Sequence, residues 1–294
     1  FDTMSNTPAT PLIIFSHGNS FPGGTYSQLF KGLNARGYTV KAIDRFGHEP
    51  HYKVTSNWPH LVKQLHDFAS AEMHSAGQDA WLVGHSLGGI VSLLCAAKHP
   101  MLGGHRVRGL LLLDSPLLTG WKAKALAASK ITQLIGAVSP GRISSKRRNT
   151  WPSREDAFQH LSKKRVFASW EPSALADYMT HGFEDVLDAH GRAQCVLRFD
   201  RDIETQIYNT LPHNVDAMLR RHPLQCPMSF IAGTRSAEMR QVGEGLSRKL
   251  VASTAPGRWQ HLEGTHLFPM ESPAKTAAAA VVAFQAMCHE QPRW

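Results

Sequence analysis

A serine flanked by glycines, in the segment Gly84-His-Ser-Leu-Gly88, has the residue types and spacing that nucleophilic catalysis requires. The apolar run over residues 80–83 predicts a short buried strand, and an apolar helical pattern runs from Leu87 to Ala97. Between a strand and a helix, this motif holds the serine on a tight turn whose neighbours must lack a β carbon. The macrodipole of the helix favours negative charge beside the hydroxyl. The pattern predicts that Ser86 is a nucleophile, and the alternative is a glycine-rich turn without chemistry.

Other groups that could bear chemistry are weaker candidates. His48 and His51 stand close together but lack further ligands at the spacing of a metal site, so we predict no metal. The glycine-rich stretches match neither the dinucleotide-binding motif nor the phosphate-binding P-loop, so we predict no cofactor. The four cysteines are scattered without metal-like spacing, and residues 1–10 lack the basic start and apolar centre of a signal peptide. We therefore expect a reduced, cytoplasmic protein.

The charge balance is strongly positive, and the excess is local. The 294 residues carry a formal net charge of +9, and residues 115–225 hold 16 Lys and Arg against 11 Asp and Glu. A solvated cationic face explains this excess most simply, and an anionic ligand or surface is the alternative. No basic stripe with interleaved aromatic residues occurs, so we predict no nucleic-acid partner. No apolar run approaches the roughly 18 residues that span a membrane.

The elements that would position Ser86 alternate along the first part of the chain. Apolar runs predict four strands, over residues 11–16, 38–43, 80–83 and 107–113. Helical patterns separate these runs. Strands that alternate with helices predict an α/β fold with a doubly wound, mostly parallel sheet and helices on both faces. Too few residues precede Leu12 for an earlier strand pair.

The pattern changes after residue 117, where strand signals almost vanish. Helical patterns cover residues 121–138, 153–164, 172–180 and 215–222. This helical segment is too long for a loop and indicates an insertion. Strand patterns then resume, over residues 227–232 and 258–262. We therefore predict a core of residues 4–114 and 226–294, and a helical cap or lid of residues 115–225.

The order of these elements resembles the α/β-hydrolase fold superfamily over nearly the whole chain. Three short segments carry the resemblance: His17-Gly-Asn19, Gly84-His-Ser-Leu-Gly88 and Gly264-Thr-His-Leu-Phe268. Residues 115–225 stand in the place of the superfamily's variable cap. The resemblance implies an α/β-hydrolase core that lacks the first strand pair, with Ser86 as its nucleophile.

The same resemblance implies a base and an oxyanion site. In the superfamily, the catalytic histidine lies in a loop after the last strand, and His266 stands four residues past the strand that ends at Leu262. The backbone N–H of Leu87, directly after the nucleophile, would bind the developing oxyanion. The N–H of Asn19, in the His-Gly-Asn loop, would be the second donor, unless Asn19 serves only a turn.

Two residues compete for the acid that would orient His266. Most relatives carry an aspartate after the penultimate strand, where this chain reads Gly233-Thr-Arg-Ser236. Asp114 follows an apolar strand, at the edge where parallel sheets place their chemistry, and its carboxylate would be costly to bury without a partner. Glu238 stands near a helix start, where the dipole explains an acidic residue, but its longer side chain could reach inward. We predict Asp114 and keep Glu238 as the alternative.

These residues predict a serine-dependent hydrolase that cleaves an ester or related acyl bond through an acyl-enzyme intermediate. C–C bond hydrolysis, cofactor-free perhydrolysis and acyl transfer are alternatives on the same scaffold, because a fold does not fix the reaction. A non-catalytic ligand receptor is a further alternative, although an intact Ser–His pair counts against it. The expected partner is a small ester-like molecule, and the basic insertion would allow it to be anionic.

The insertion is expected to fold over Ser86 and to line an acyl pocket, because pockets on such scaffolds form between core and insertion. Its aromatic residues are the candidates for this lining: Trp121, Trp151, Phe167, Trp170 and Tyr178. The alternative is that they form the insertion's own core.

Overall fold

The strands of the first half of the chain pair in parallel, and two later strands extend the same sheet. The computed structural model describes residues 9–120, 122–123 and 144–288. Its strands are β1 (Leu12–Ser16), β2 (Thr39–Ala42), β3 (Ala80–His85), β4 (Met101–Leu102), β5 (His105–Leu113), β6 (Thr150–Trp151), β7 (Phe183–Leu187), β8 (Ala193–Leu197), β9 (Met228–Gly233) and β10 (Trp259–Leu262). Within these ranges the central sheet has the order β10-β9-β5-β3-β1-β2, all parallel, and β4 pairs antiparallel with β5. The prediction of a mostly parallel α/β sheet is confirmed.

Helices cover both faces of this sheet. The α-helices of the described residues, among them those of the segment between β5 and β9, include α1 (Ser27–Ala35), α2 (Pro59–Ala76), α3 (Leu87–Lys98), α4 (Arg154–Ser162), α5 (Arg165–Ala168), α6 (Pro172–His181), α7 (Arg201–Asn209), α8 (Val215–Arg221), α9 (Ala237–Val242), α10 (Gly245–Ser253), α11 (Phe268–Glu271) and α12 (Pro273–Cys288). None of the helices within the described ranges is both long and apolar enough to span a bilayer.

The alternation of side chains along the strands explains why two separate apolar cores form. In β1, Leu12 and Ile14 belong to a buried cluster that also contains residues of α2 and α3. Ile13 and Phe15 belong to a second cluster, which contains residues of α1 and α12. A parallel strand that is buried on both faces needs apolar residues at every position, which is the pattern of this strand.

Two glycines allow α3 to leave β3 abruptly. A β carbon at Gly84 would overlap the backbone of Gly88, and one at Gly88 would overlap the carbonyl of Ser16 in β1. Any other residue at either position would push α3 away from the sheet. The close approach places residue 86 at the carboxyl edge of the sheet, directly at the start of α3.

The segment between β5 and β9 is a separate unit of the topology, and it is not purely helical. Besides α4 to α8, it contains a three-stranded antiparallel sheet in the order β6-β8-β7. The expectation that strands almost vanish in residues 115–225 is therefore wrong. Charged Glu184 and Asp185 interrupt the apolar pattern of β7, and a tight turn at Asp188 joins it to β8, so the pattern carries little strand signal. Most of the helix predicted over residues 121–138 lies outside the described residues.

Polar contacts attach this insertion to the core. Just after β8, both terminal nitrogens of the Arg198 guanidinium donate to the carboxylate of Asp44, at 3.2 and 2.7 Å. The indole N–H of Trp58, which is fully buried in the core, donates to the Thr210 hydroxyl at 3.0 Å. The first contact joins the loop after β2 to the antiparallel sheet of the insertion. The second joins the residue before α2 to the end of α7.

Candidate active site

Ser86 occupies the turn between β3 and α3. Its backbone has φ 54° and ψ −117°, a conformation that residues with a side chain rarely adopt. Its N–H donates to the carbonyl of Leu113 at the end of β5, at 2.9 Å, which ties the turn to the neighbouring strand. The side chain is partly exposed, while the residues on either side of it are buried.

His266, in the loop after β10, lies between Ser86 and Asp114. Its Nε2 atom is 3.0 Å from Ser86 Oγ, and its Nδ1 atom is 2.5 Å from Asp114 Oδ2. The hydroxyl and the carboxylate therefore contact opposite nitrogens of one imidazole. This arrangement allows a proton to pass from the hydroxyl to Nε2 while the carboxylate holds the ring and its tautomer.

Asp114 is fully buried at the end of β5 and has a φ of 48°. Its Oδ1 atom accepts from the N–H of Gly233 at 2.7 Å, and Oδ2 accepts from the Ser236 hydroxyl at 2.6 Å. These donors compensate the loss of water that makes a buried carboxylate costly. Glu238, the alternative acid, is half exposed, and its carboxylate is 3.8 Å from His266 Nδ1. The distances favour Asp114 as the partner of the imidazole.

Burial and charge oppose each other at this pair. Burial lowers the pKa of His266, but the hydrogen bond and charge of Asp114, together with the charge of Glu238, leave that pKa above its usual 6.5. Burial raises the pKa of Asp114, but its hydrogen bonds and the His266 charge leave that pKa below the usual 3.8. Near neutral pH, Asp114 is therefore ionised and stabilises the imidazolium that a proton transfer would create.

A buried hydrogen-bond chain connects the loops around Ser86. Burial lowers the pKa of His85 to about 3, so its ring is neutral. His85 Nε2 is 2.7 Å from the carbonyl of His266, which can only accept, so Nε2 carries the proton. Nδ1 then accepts from the hydroxyl of Tyr26 at 2.6 Å, and that hydroxyl accepts from the N–H of Gly18 at 2.9 Å. One chain thus links the loop after β1, the turn after β3 and the loop after β10.

The two residues predicted for the oxyanion site both stand at the carboxyl edge of the sheet. Leu87 is the first residue of α3, and the first N–H groups of a helix have no acceptor within it. Asn19, in the loop after β1, lines the same cavity as Ser86 and His266. Its side-chain amide donates to the carbonyl of Glu204 at 3.1 Å, which fixes this loop against α7.

A cavity of about 430 Å³ is lined by Ser86 and His266 together with residues of the insertion. Three of the predicted aromatic residues line it: Trp151, Phe167 and Tyr178. Trp170 instead packs against Phe21, with 5.4 Å between the ring centroids. Trp121 lies outside the described residues.

Several residues of this site were not predicted from the sequence. Arg147, Arg148 and Lys164 line the cavity, although they were counted only as part of a basic insertion. Their signal is the two short runs of adjacent basic residues in the insertion. Ser236 stands at the place where the superfamily resemblance implies an aspartate, and no local pattern indicates that its hydroxyl reaches Asp114.

Potential metal ligands coincide with the candidate triad. Among the described residues, His, Cys, Asp and Glu side chains converge at Asp114, Glu238 and His266, with ligand atoms within 4.8 Å of one another. The Nδ1 atom of His266 is already engaged by Asp114, so hydrogen bonding accounts for this group. At His48, Nδ1 lies 2.9 Å from the Phe46 carbonyl and Nε2 accepts from the Asp200 N–H, so both ring nitrogens have backbone partners.

Comparison with known sequences identifies a family and a set of lipases. The sequence model of the Alpha/beta hydrolase family matches residues 13–279. The monoglyceride lipase of Rattus norvegicus is 30% identical over 149 residues, which are 48% of this chain and 48% of the lipase. The monoglyceride lipase of Homo sapiens is 31% identical over 142 residues, 46% of each chain. The chain spans about half the length of these curated relatives.

Solved structures of the same architecture cover almost the whole chain. A thioesterase domain from the curacin biosynthetic pathway has a TM-score of 0.67 and 20% identity. The matched part covers 94% of this chain and 92% of the thioesterase chain. A peroxisomal alpha-beta-hydrolase from Saccharomyces cerevisiae has a TM-score of 0.68 and 13% identity, over 97% and 80%. At this identity the similarity establishes the fold.

Proposed function

Because the chain belongs to the Alpha/beta hydrolase family, we propose that it is a serine-dependent hydrolase that cleaves an ester or related acyl bond. Ser86 is the nucleophile, His266 is the general base and then the general acid, and Asp114 orients His266. One observation carries the proposal: the two ring nitrogens of His266 lie 3.0 Å from Ser86 Oγ and 2.5 Å from Asp114 Oδ2. The similarity to monoglyceride lipases supports an ester as the bond.

The first half of the reaction forms an acyl-enzyme. The Ser86 oxygen attacks the acyl carbon, the hydroxyl proton moves to His266 Nε2, and the carbonyl oxygen becomes an oxyanion. The N–H groups of Leu87 and Asn19 stabilise this oxyanion, and the dipole of α3 adds to their effect. The bond to the leaving oxygen then breaks, and that oxygen takes the proton from Nε2.

The second half returns the enzyme to its starting state. A water molecule gives a proton to His266 Nε2 and its oxygen attacks the acyl carbon of the Ser86 ester. When the second tetrahedral intermediate collapses, the Ser86 oxygen recovers the proton and the carboxylic acid is released. Throughout, ionised Asp114 stabilises the imidazolium without taking its proton.

Residues 115–225 serve as a cap over this centre in our proposal. The support is the cavity itself, because its lining combines Ser86 and His266 with aromatic residues of the insertion, such as Trp151 and Phe167. Apolar walls of this kind suit the acyl chain of a substrate and exclude water from the oxyanion.

Covalent labelling tests the proposal. A fluorophosphonate probe should attach to Ser86, as identified by peptide mass spectrometry, and the protein should hydrolyse p-nitrophenyl butyrate. Ser86→Ala should lose the label and at least about 10³-fold of kcat, because the covalent route is gone. Ser253→Ala, at an exposed serine in α10, is the control and should label like the wild type. A Ser86→Ala protein with wild-type labelling and turnover would refute the proposal.

A further inference from the structure

Positive charge gathers at the part of the cavity that the insertion builds. Arg147, Arg148 and Lys164 all line it, and Glu238 is the carboxylate on its wall. Glu238 lies beside the candidate triad, because its carboxylate is 3.8 Å from His266 Nδ1. The lining of the cavity therefore combines Ser86 and His266 of the core with three cations of the insertion.

The three cations differ in what balances them. Arg147 is paired, because its Nη1 lies 2.6 Å from a carboxylate oxygen of Glu204, which is 1% exposed. Among the described residues, no carboxylate forms an ion pair with Arg148. Its Nε donates to the Thr150 carbonyl at 2.9 Å, and its guanidinium lies 5.4 Å from the centre of the Trp151 ring. These two contacts orient the guanidinium without offsetting its positive charge.

The positive charge of Lys164 is the least offset of the three. It is half-buried at the start of α5, and no carboxylate within the described ranges lies at ion-pair distance from its ammonium group. Burial, followed by the positive charge of Arg147, lowers its pKa. Lys164 and Arg148 line the same cavity. The pKa of His160 is lowered by burial and then by the charges of Lys164, Arg148 and Lys163. An unpaired, partly desolvated ammonium group gains much from an anion.

We propose that Lys164 and Arg148 form a subsite that binds a carboxylate on the acyl chain of the substrate, remote from the bond that is cleaved. This inference rests on the proposed serine hydrolase function and names the substrate class. Lys164 and Arg148, which pair with no carboxylate in the described part of the chain, can each contact one oxygen of a substrate carboxylate, whereas Arg147 already pairs with Glu204. The apolar side chains of Leu161, Val166 and Phe167 in the same cavity suit the methylene chain that joins the two ends.

Substrate preference tests the subsite. The mono-p-nitrophenyl esters of glutarate, adipate, pimelate and suberate are compared with p-nitrophenyl esters of linear monocarboxylic acids of equal carbon number. The uncatalysed rate of each ester is subtracted. At the best chain length, kcat/KM for the anionic ester should exceed that for the neutral ester at least tenfold. A neutral ester that is preferred or equal at every length overturns the subsite, although it leaves the serine hydrolase intact.

Substitutions separate charge from structure. Lys164→Met should reduce the anionic-to-neutral ratio of kcat/KM at least tenfold, and Lys164→Arg, which keeps the charge, should restore most of it. Lys163→Met removes the charge of an exposed neighbour that does not line the cavity, and it should leave the ratio within twofold. An unchanged ratio in Lys164→Met contradicts the assignment.

Binding without turnover distinguishes this inference from the proposed function. Calorimetry with the Ser86→Ala protein should show that monomethyl adipate binds. The Kd for dimethyl adipate should be at least tenfold higher. Lys164→Met in the same background should remove the difference. Anion-selective binding with no hydrolysis of any ester would refute the hydrolase but support the subsite. Hydrolysis without anion-selective binding would refute the subsite alone.

Discussion

Two residues of the site have unusual backbone conformations, which hydrogen bonds to neighbouring strands stabilise. Ser86 and Asp114 both have positive φ, at 54° and 48°. Each backbone N–H is bonded to the next strand, that of Ser86 to the carbonyl of Leu113 and that of Asp114 to the carbonyl of Ile231. Such conformations cost of order 1–3 kcal/mol each and persist only where the surroundings fix them. The hydroxyl and the carboxylate therefore face His266 from rigid positions.

Substitution of the two carboxylates compares their roles. Asp114→Asn keeps the shape of the side chain but removes the charge and disturbs the tautomer of His266. We expect kcat for p-nitrophenyl butyrate to fall by about 10⁴-fold, as the equivalent change does in a serine protease. Glu238→Gln, the matched control at the half-exposed carboxylate, should reduce kcat by no more than about twofold. The opposite ranking would assign the acid to Glu238.

On the acidic side of the pH profile, kcat/KM depends on the pKa of His266, which the neighbouring charges shift. The base must be neutral to accept the Ser86 proton, so kcat/KM rises as pH passes upward through the pKa of the imidazole. Burial lowers this pKa, but the hydrogen bond and charge of Asp114 and the charge of Glu238 together hold it above 6.5, so the midpoint of the rise should lie above pH 6.5. Asp114→Asn should move the midpoint to lower pH, because the largest contribution that raises the pKa is lost. A wild-type midpoint below pH 6.5 would contradict this account.

At the scale of elements, the site depends on how closely α3 approaches β1 and β3. Ser86 belongs to neither element, and its position is set by the contact of two glycine backbones with the sheet. A β carbon at Gly88 would overlap the Ser16 carbonyl, which belongs to rigid backbone and cannot rotate away. A small shift of α3 would change the direction of the Ser86 hydroxyl and of the Leu87 N–H together.

Gly88→Ala tests this close approach. We expect the free energy of unfolding to fall by about 1–3 kcal/mol, the usual effect of overpacking, because α3 must move away from β1. Gly245→Ala is the matched control, since no atom lies within 4 Å of a β carbon built there, at the first residue of α10. It should leave stability unchanged or raise it slightly. Urea denaturation of both variants measures the difference, and equal stabilities would exclude the steric argument.

Local patterns were sufficient for the elements that carry their own signal. Apolar runs predicted the strands that flank Ser86, because strands buried on both faces need apolar residues throughout. Strands β7 and β8 were missed, because they are short, exposed on one side and interrupted by charges such as Glu184 and Asp185. The sequence favoured Asp114 over Glu238 as the acid that orients His266 but did not decide between them. The choice depends on a loop conformation that brings distant residues together.

At the scale of the whole molecule, the insertion and the core share one cavity and a few polar contacts. Arg198 donates to Asp44 through two nitrogens and to the carbonyl of His181 at 2.6 Å, so it joins the core to both the sheet and a helix of the insertion. Its side chain is 23% exposed, whereas that of Asp44 is 58% exposed. Water therefore weakens this ion pair.

Arg198→Met tests this attachment. The variant keeps most of the apolar stem and loses three donated hydrogen bonds, so we expect the free energy of unfolding to fall by about 1 kcal/mol. Arg192→Met is the matched control, because the Arg192 side chain is 77% exposed and its Nε lies 3.8 Å from Asp188. That change should alter stability by less than about 0.5 kcal/mol. If both variants unfold like the wild type, Arg198 does not stabilise the attachment.

The anchoring of Asp114 has a consequence for how such a protein can diverge. The insertion begins directly after this residue, yet Gly233, Ser236 and Ile231, all beyond the insertion in the chain, hold its backbone and carboxylate. The segment from Ser115 to Gln225 can therefore be exchanged without removing any of these three contacts. Under the proposed function, a different insertion would change which molecules reach Ser86, while His266 and Asp114 would keep their arrangement. The proposed triad and the proposed carboxylate subsite lie on separate stretches of the chain.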